Sequence, residues 1–206
     1  MTAMRLLMGF LMALILMAQA GCLSLPQPEP AALQFDLGPA QRPTNQAPHA
    51  MLWDVKVNSP IWLEDIKILY REATENPYEL RSFQGVRWVA SPEELLQNRL
   101  RAAMQAAEEH PSPQDQLPPA VMTMHIHLED FVVEREAGKT QAKVSWLALA
   151  WSRRDRQILG ARRFTTSAPV DGNTATQAVA GLATAVDQAI GQMLPWMNQL
   201  EQRVGL

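Results

Sequence analysis

The sequence predicts an α+β fold: a mostly antiparallel or mixed sheet with two helices packed on one face. Three observations carry that prediction. Stretches of alternating apolar and polar residues lie on both sides of one strongly signalled helix, a second long stretch with an apolar stripe closes the chain, and the order strands, helix, strands, helix suits a sheet covered on one side. The chain has 206 residues, is 47% hydrophobic and carries a net charge of −3, all within the range of a globular protein. A weakly acidic chain lacks the basic face that a nucleic-acid binder needs, so no nucleic-acid partner is expected.

Taken in order, Leu33-Gln34-Phe35-Asp36-Leu37 alternates and reads as a short strand docked on the domain edge. Leu52 to Val57 and Ile61 to Leu63 read as strands on either side of the turn signal Asn58-Ser59-Pro60. Ile66-Lys67-Ile68-Leu69-Tyr70 is rich in strand-favouring residues, and Tyr78 to Phe83 alternates again after the breaker Glu75-Asn76-Pro77. Ser91-Pro92-Glu93-Glu94 then supplies an N-cap serine, a proline at the first helical position and a glutamate three residues after the cap. The helix it starts aligns Leu96, Leu100, Ala103 and Ala107, keeps Gln97, Arg101 and Glu108 off that stripe, and should end near His110-Pro111. Pro111, Pro113, Pro118 and Pro119 mark the loop that follows.

Beyond the loop, Met122, Met124, Ile126 and Leu128 alternate with Thr123, His125, His127 and Glu129, the pattern of a half-buried strand. Glu136-Ala137-Gly138-Lys139 turns the chain. Ala142 to Trp151 runs back with apolar residues on both faces, which suits a central strand covered on both sides or one whose second face meets a partner. A polar turn over Ser152 to Arg156 leads to a strand over Gln157 to Thr166. The closing helix is expected from about Thr174 to Leu194, with Val179, Leu182, Val186, Ile190 and Met193 at helical spacing and Pro195 breaking or ending it.

The N-terminal region has a different character. Arg5, an apolar run from Leu6 to Ala18 and the small pair Ala20-Gly21 form the layout of a signal peptide over residues 1–21, and the run is short for a membrane span of about 20 residues. Ala20-Gly21-Cys22 resembles the lipobox of bacterial lipoproteins, in which the cysteine becomes the acylated first residue of the mature chain; Gln19 stands where an aliphatic residue is usual. Cys22 is the sole cysteine, so no intrachain disulfide competes for it. Pro26, Pro28, Pro30, Pro39, Pro43 and Pro48 make residues 22–50 a lipid-anchored, proline-rich spacer of extended geometry, ahead of a folded domain at 51–200. Leu23 and Ser24 after the cysteine resemble the pattern of lipoproteins sent to the outer membrane.

Motifs for catalysis are missing. There is no phosphate-binding Gly-x-x-x-x-Gly-Lys-Ser/Thr loop and no Gly-x-Ser-x-Gly elbow, and the single cysteine is committed to the lipobox. His125 and His127 share one strand face with Glu129 and form the one constellation with metal-ligand spacing, although such residues also suit a solvent-facing strand. Adjacent acids such as Glu93-Glu94 and Glu129-Asp130 point apart and suit solvated faces better than acid/base work. Arg153, Arg154, Arg156, Arg162 and Arg163 form a basic cluster suited either to a polar turn or to phosphate head groups or an acidic partner. Six tryptophans, at 53, 62, 88, 146, 151 and 196, offer large contact area for a core or a protein interface.

Taken together, these features resemble the ABC-type transport auxiliary lipoproteins, which accompany lipid-transporting ABC systems containing mammalian-cell-entry (MCE) domain proteins. Phe35-Asp36-Leu37-Gly38-Pro39 is similar to that family's Tyr-x-Leu-x-Pro start. Val55-Lys56-Val57 with Pro60, Leu63, Ile66 and Leu69-Tyr70-Arg71 is similar to its opening, Arg87-Trp88 before Pro92, Leu95, Leu96 and Leu100 to its helix entry, and Arg163-Phe164 before Ala168-Pro169-Val170 to its end. The resemblance implies a non-enzymatic helper of lipid transport without cofactor, metal or catalytic residue. Such a helper is anchored to a membrane through Cys22, with Leu23 and Ser24 pointing to the outer one, reaches into the periplasm, and works with an MCE-domain protein and ABC subunits, with homo-oligomerisation left open. Arg87 and Trp88 are the implied partner contacts, with a packing pair at the helix entry as the other reading. The alternative class is an accessory lipoprotein of outer-membrane assembly, for lipopolysaccharide or barrel-protein insertion.

Overall fold

The computed structural model describes residues 31–40, 53–107, 122–154 and 156–204. The leader, Cys22, most of the proline-rich spacer and the loop of Pro111 to Pro119 lie outside the described residues. Among the described residues eight strands and two helices follow in order: β1 (Leu33–Phe35), β2 (Trp53–Asn58), β3 (Leu69–Glu72), β4 (Arg81–Ser82), β5 (Val86–Trp88), α1 (Pro92–Ala107), β6 (Met122–Glu136), β7 (Lys139–Ser152), β8 (Gln157–Pro169) and α2 (Ala175–Arg203). This is the expected α+β class.

Three long antiparallel strands, β6, β7 and β8, form the body of the sheet. The β6–β7 connection is a two-residue turn in which Ala137 (φ 46°) and Gly138 (φ 80°) both take positive φ, the geometry that matches the twist of a hairpin. Along its other edge β6 carries two short strands in series, both parallel to it: β2, paired from Trp53↔Met122 to Asn58↔His127, and β3, paired from Tyr70↔Val133 to Glu72↔Arg135. The sheet is therefore mixed, and β4 closes it antiparallel to β3.

That arrangement overrides two strand expectations. Between Asn58 and Tyr70 the chain spends twelve residue steps while β6 advances six, from His127 to Val133. The surplus loops out. Ile61–Leu63 forms a 3₁₀ turn closed by Leu63 N–H donating to Pro60 O (2.8 Å), with Leu63 buried, and pairing in β3 starts only at Leu69. Of Tyr78 to Phe83, only Arg81–Ser82 pairs. β5 carries no signal in the sequence; it pairs in parallel with β1, matching Leu33, Gln34 and Phe35 to Val86, Arg87 and Trp88, so the alternating Leu33 stretch does dock on the domain.

Both helices lie over the same face. At α1 the Ser91 hydroxyl accepts from Glu94 N–H (3.3 Å), and Leu96 and Leu100 are fully buried against β2. Val57 N–H donates to the Gln97 side chain (3.2 Å), and Ser59 Oγ to Glu93 (3.0 Å). α2 begins at a capping box of Thr174 and Gln177 and packs along β8 and β7. Pro195 does not end it. A proline inside a helix costs about 3 kcal/mol, but the last two turns bury Trp196, Met197 and Leu200, at about 1.5–3 kcal/mol for each large side chain. Burial wins, and the helix runs on to Arg203. Phe164 lies between Trp146 (6.2 Å) and Trp196 (5.6 Å) in this core, and Trp88 meets Phe131 edge-on at 5.7 Å.

Two helix glycines give opposite expectations. A Cβ on Gly181 would lie 2.6 Å from the Val170 γ-methyl and 3.1 Å from Ala142 Cβ, whereas one on Gly191 would meet nothing within 4 Å. Gly191→Ala should stabilise by about 0.5–1 kcal/mol through helix propensity. Gly181→Ala should destabilise by about 1–3 kcal/mol through overpacking. Urea unfolding of both variants checks the sign; destabilisation by both would overturn the packing argument.

Candidate functional site

Strand alternation sends every second residue of β6, β7 and β8 away from the helices. On that outer face stand Thr123, His125, His127 and Glu129 of β6, Ser145, Leu147, Leu149 and Trp151 of β7, and Arg163 and Thr165 of β8, matched across the strands by the register. Two polar clusters stand on it. At one, Glu129 accepts from Arg163 Nε and Nη2, both at 2.8 Å, and from the Ser145 hydroxyl at 3.0 Å, a bidentate pair spanning three strands. At the other, Arg153 donates to Asp54 (3.0 Å) and to the Thr123 hydroxyl (3.1 Å), with Lys56 4.0 Å from the same Asp54 carboxylate.

Between the clusters, apolar side chains of β7 and β8 stand beside His125 and His127 of β6. Leu149 faces His125 on one side and Ala161 on the other, Trp151 faces Ile158, and Leu147 and Ile158 are 36% and 59% exposed. Lys56, Thr123, His125, Leu149, Trp151 and Arg153 line an open trough of about 380 Å³, with Leu149 and Trp151 its apolar members. Apolar side chains thus occupy the second face of the central strand, as the sequence of β7 foretells. Both described helices lie on the opposite face.

The Glu129 cluster has a pH signature. Hydrogen bonds from Arg163, opposed in part by burial and aided by Ser145, hold the Glu129 carboxyl below its ordinary value of 4.5. A lowered folded-state pKa gives a contribution that is complete above the unfolded value and lost as pH falls through the folded one. Wild type should therefore exceed Glu129→Gln in stability at neutral pH, and the gap should close below about pH 4.5 as the carboxylate is protonated. Thermal melts of both chains between pH 3 and pH 7 (both ends approximate) follow the gap; one that persists at the acid end would overturn the assignment.

The model of the family described as ABC-type transport auxiliary lipoprotein component matches residues 32–193. The chain belongs to this family. Among solved structures, protein XCC0632 from Xanthomonas campestris is similar at 15% identity, with a TM-score of 0.72 over 84% of this chain and 98% of that one. A second, described as an uncharacterized protein, is similar at 14% identity, with a TM-score of 0.60 over 81% of this chain and 99% of that one. At these identities the likeness is one of fold. No curated protein matches the sequence.

As an ABC-type transport auxiliary lipoprotein, the chain distributes its sequence-predicted site residues unevenly. Cys22 lies outside the described residues. Trp88 is 1% exposed and belongs to the core, which leaves Arg87, exposed beside it on β5, as the surface member of the pair. His127 faces Asn58 (Nδ1 to Oδ1, 3.3 Å), Glu129 is held by Arg163, and His125 borders the trough; among the described residues no three metal-ligating side chains gather. The basic cluster is also divided: Arg153 and Arg163 are paired, Arg162 lies over the Phe164 ring at 5.2 Å, and Arg154 and Arg156 are exposed at the turn. Of the tryptophans, 88, 146 and 196 are core, Trp53 donates to Glu201 (2.6 Å), Trp151 edges the trough and Trp62 is 37% exposed.

One arrangement escapes sequence reading. Arg99, on α1, is 6% exposed and pairs with Asp187 of α2 through Nε (2.8 Å) and Nη2 (2.7 Å), while its Nη1 donates to Gly38 O. The residues just after β1, where the spacer enters the domain, are tied to both helices by this one side chain. No local signal marks a pair 88 positions apart.

Proposed function

We propose that this auxiliary lipoprotein is a non-enzymatic component of an MCE-associated lipid transport system, anchored to the outer membrane through an acylated Cys22 and facing the periplasm. The observation that carries the reading is the family match over residues 32–193, which begins at the strand where the spacer enters the domain. Eleven residue steps separate Cys22 from Leu33, a tether of at most about 40 Å. Tethering on that scale raises the local concentration of the domain for a partner in the same envelope, so modest affinity suffices. Arg87, exposed on β5 beside the tether strand, is the contact assigned to the MCE-domain protein.

Affinity purification of the intact lipoprotein from mildly solubilised envelopes should recover an MCE-domain protein and ABC subunits. Arg87→Glu should reduce that recovery by about tenfold or more, the cost of reversing one charge at a contact, with an unchanged melting temperature. Recovery of a barrel- or lipopolysaccharide-assembly machine instead would overturn the transport reading.

A further inference from the structure

The outer-face trough combines two properties that one class of ligand satisfies together. Its floor is apolar, Leu149 and Trp151, and the apolar surface continues along β7 to Leu147 and across to Ala161 and Ile158 on β8. Outward positions of a half-covered sheet are ordinarily polar, so three large apolar side chains in a row call for a ligand; they extend about 13 Å along β7, at about 6.7 Å for each pair of residues. The rim is cationic. Lys56 and Arg153 share the single carboxylate of Asp54, at 4.0 and 3.0 Å, which leaves net positive charge beside His125. Long basic side chains lay their aliphatic stems on apolar surface and keep their charged heads at its border, which suits both of these wall residues.

A simple anion has no use for such a floor, and an uncharged hydrocarbon none for the rim. We infer that this trough binds the anionic head group and first acyl methylenes of a phospholipid. In taking lipid as the occupant the inference deepens the transport reading and rests on it; the location of the site rests on the trough alone.

The test uses the full mature chain from residue 22 with Cys22→Ser, which keeps every domain residue and needs no detergent. Dihexanoyl phosphatidylglycerol, dihexanoyl phosphatidylcholine and inorganic phosphate, each below any micelle concentration, are titrated while the NMR signals of Trp151 and His125 are followed. Phosphatidylglycerol should bind about fivefold or more tighter than phosphatidylcholine, and Arg153→Gln and Lys56→Gln should each remove about fivefold of that preference, with Arg153→Lys retaining it. Leu149→Ser should weaken both lipids by about tenfold. Equal affinity for the two lipids, no movement at Trp151, or phosphate binding as tightly as phosphatidylglycerol overturns the inference. So does a wild-type dimer in sedimentation that Leu149→Ser converts to monomer, because the strip is then a face between copies. Failure here with MCE partners still recovered from envelopes removes the lipid site alone; lipid binding without those partners removes the transport reading and leaves an amphiphile site.

Discussion

Asp187→Ala should destabilise the domain by about 3 kcal/mol or more, because it leaves the Arg99 guanidinium buried without its counter-charge. The partner side chains are 6% and 14% exposed and meet through two short, parallel hydrogen bonds. Water cannot replace the carboxylate at such a position. At about 2–4 °C per kcal/mol for a chain of this size, the melting temperature should fall by about 6–12 °C. Damage should also extend beyond the pair. Without Asp187 to orient it, Arg99 loses its grip on the Gly38 carbonyl, so Leu33 N–H (to Gly85 O, 2.9 Å) and Val89 N–H (to Phe35 O, 2.9 Å) should exchange faster with solvent. Arg99→Met combined with Asp187→Leu should recover most of the melting temperature, since apolar replacement of a buried ion pair is often neutral. It should not restore amide protection around β1, because Gly38 O still lacks its donor. A single substitution that costs less than about 1 kcal/mol would show the pair to be solvated and overturn this account.

Cys22→Ser should have the second large effect, on location. Several acyl chains on one residue, at about 0.8 kcal/mol per buried methylene, hold a protein to a bilayer in a way that a single myristoyl chain does not. Serine cannot carry the thioether. Labelled fatty acid should enter the wild type at its N-terminal peptide and be absent from the variant. Exported behind an ordinary cleavable leader, the Cys22→Ser chain should leave the membrane fraction for the soluble one, with the melting temperature of its domain unchanged. Persistent membrane association of that released chain would place the anchor elsewhere than Cys22.

Much of the fold is legible from local chemistry. Ser91, Pro92 and Glu94 mark the start of α1 because a cap serves its own first turn, and the spacing of Val179, Leu182, Val186, Ile190 and Met193 marks the buried face of α2. The alternation of Met122 to Leu128 and the doubled apolar faces of β7 likewise announce a half-buried strand and a central one. The errors share a cause. Ile61–Leu63 favours a strand locally, yet the chain spends twelve steps there while β6 advances six, and the surplus loops out; Pro195 disfavours helix locally, yet the buried residues beyond it outweigh that cost. For the candidate site, the sequence marks His125, Trp151 and Arg153 singly, without saying that β2 brings Lys56 and Asp54 beside them.

By itself, then, the sequence determined the α+β class, most of the element order and the family resemblance, because each depends on periodicity, capping or motifs within a few neighbouring residues. Only the tertiary structure decided that Trp88 belongs to the core while Arg87 faces solvent, that Arg99 of α1 and Asp187 of α2 form one buried lock on the entry of the spacer, and that an apolar strip with a cationic rim faces outward. Each of those depends on groups far apart in the chain, whose charge and burial have meaning only once the sheet and helices bring them together.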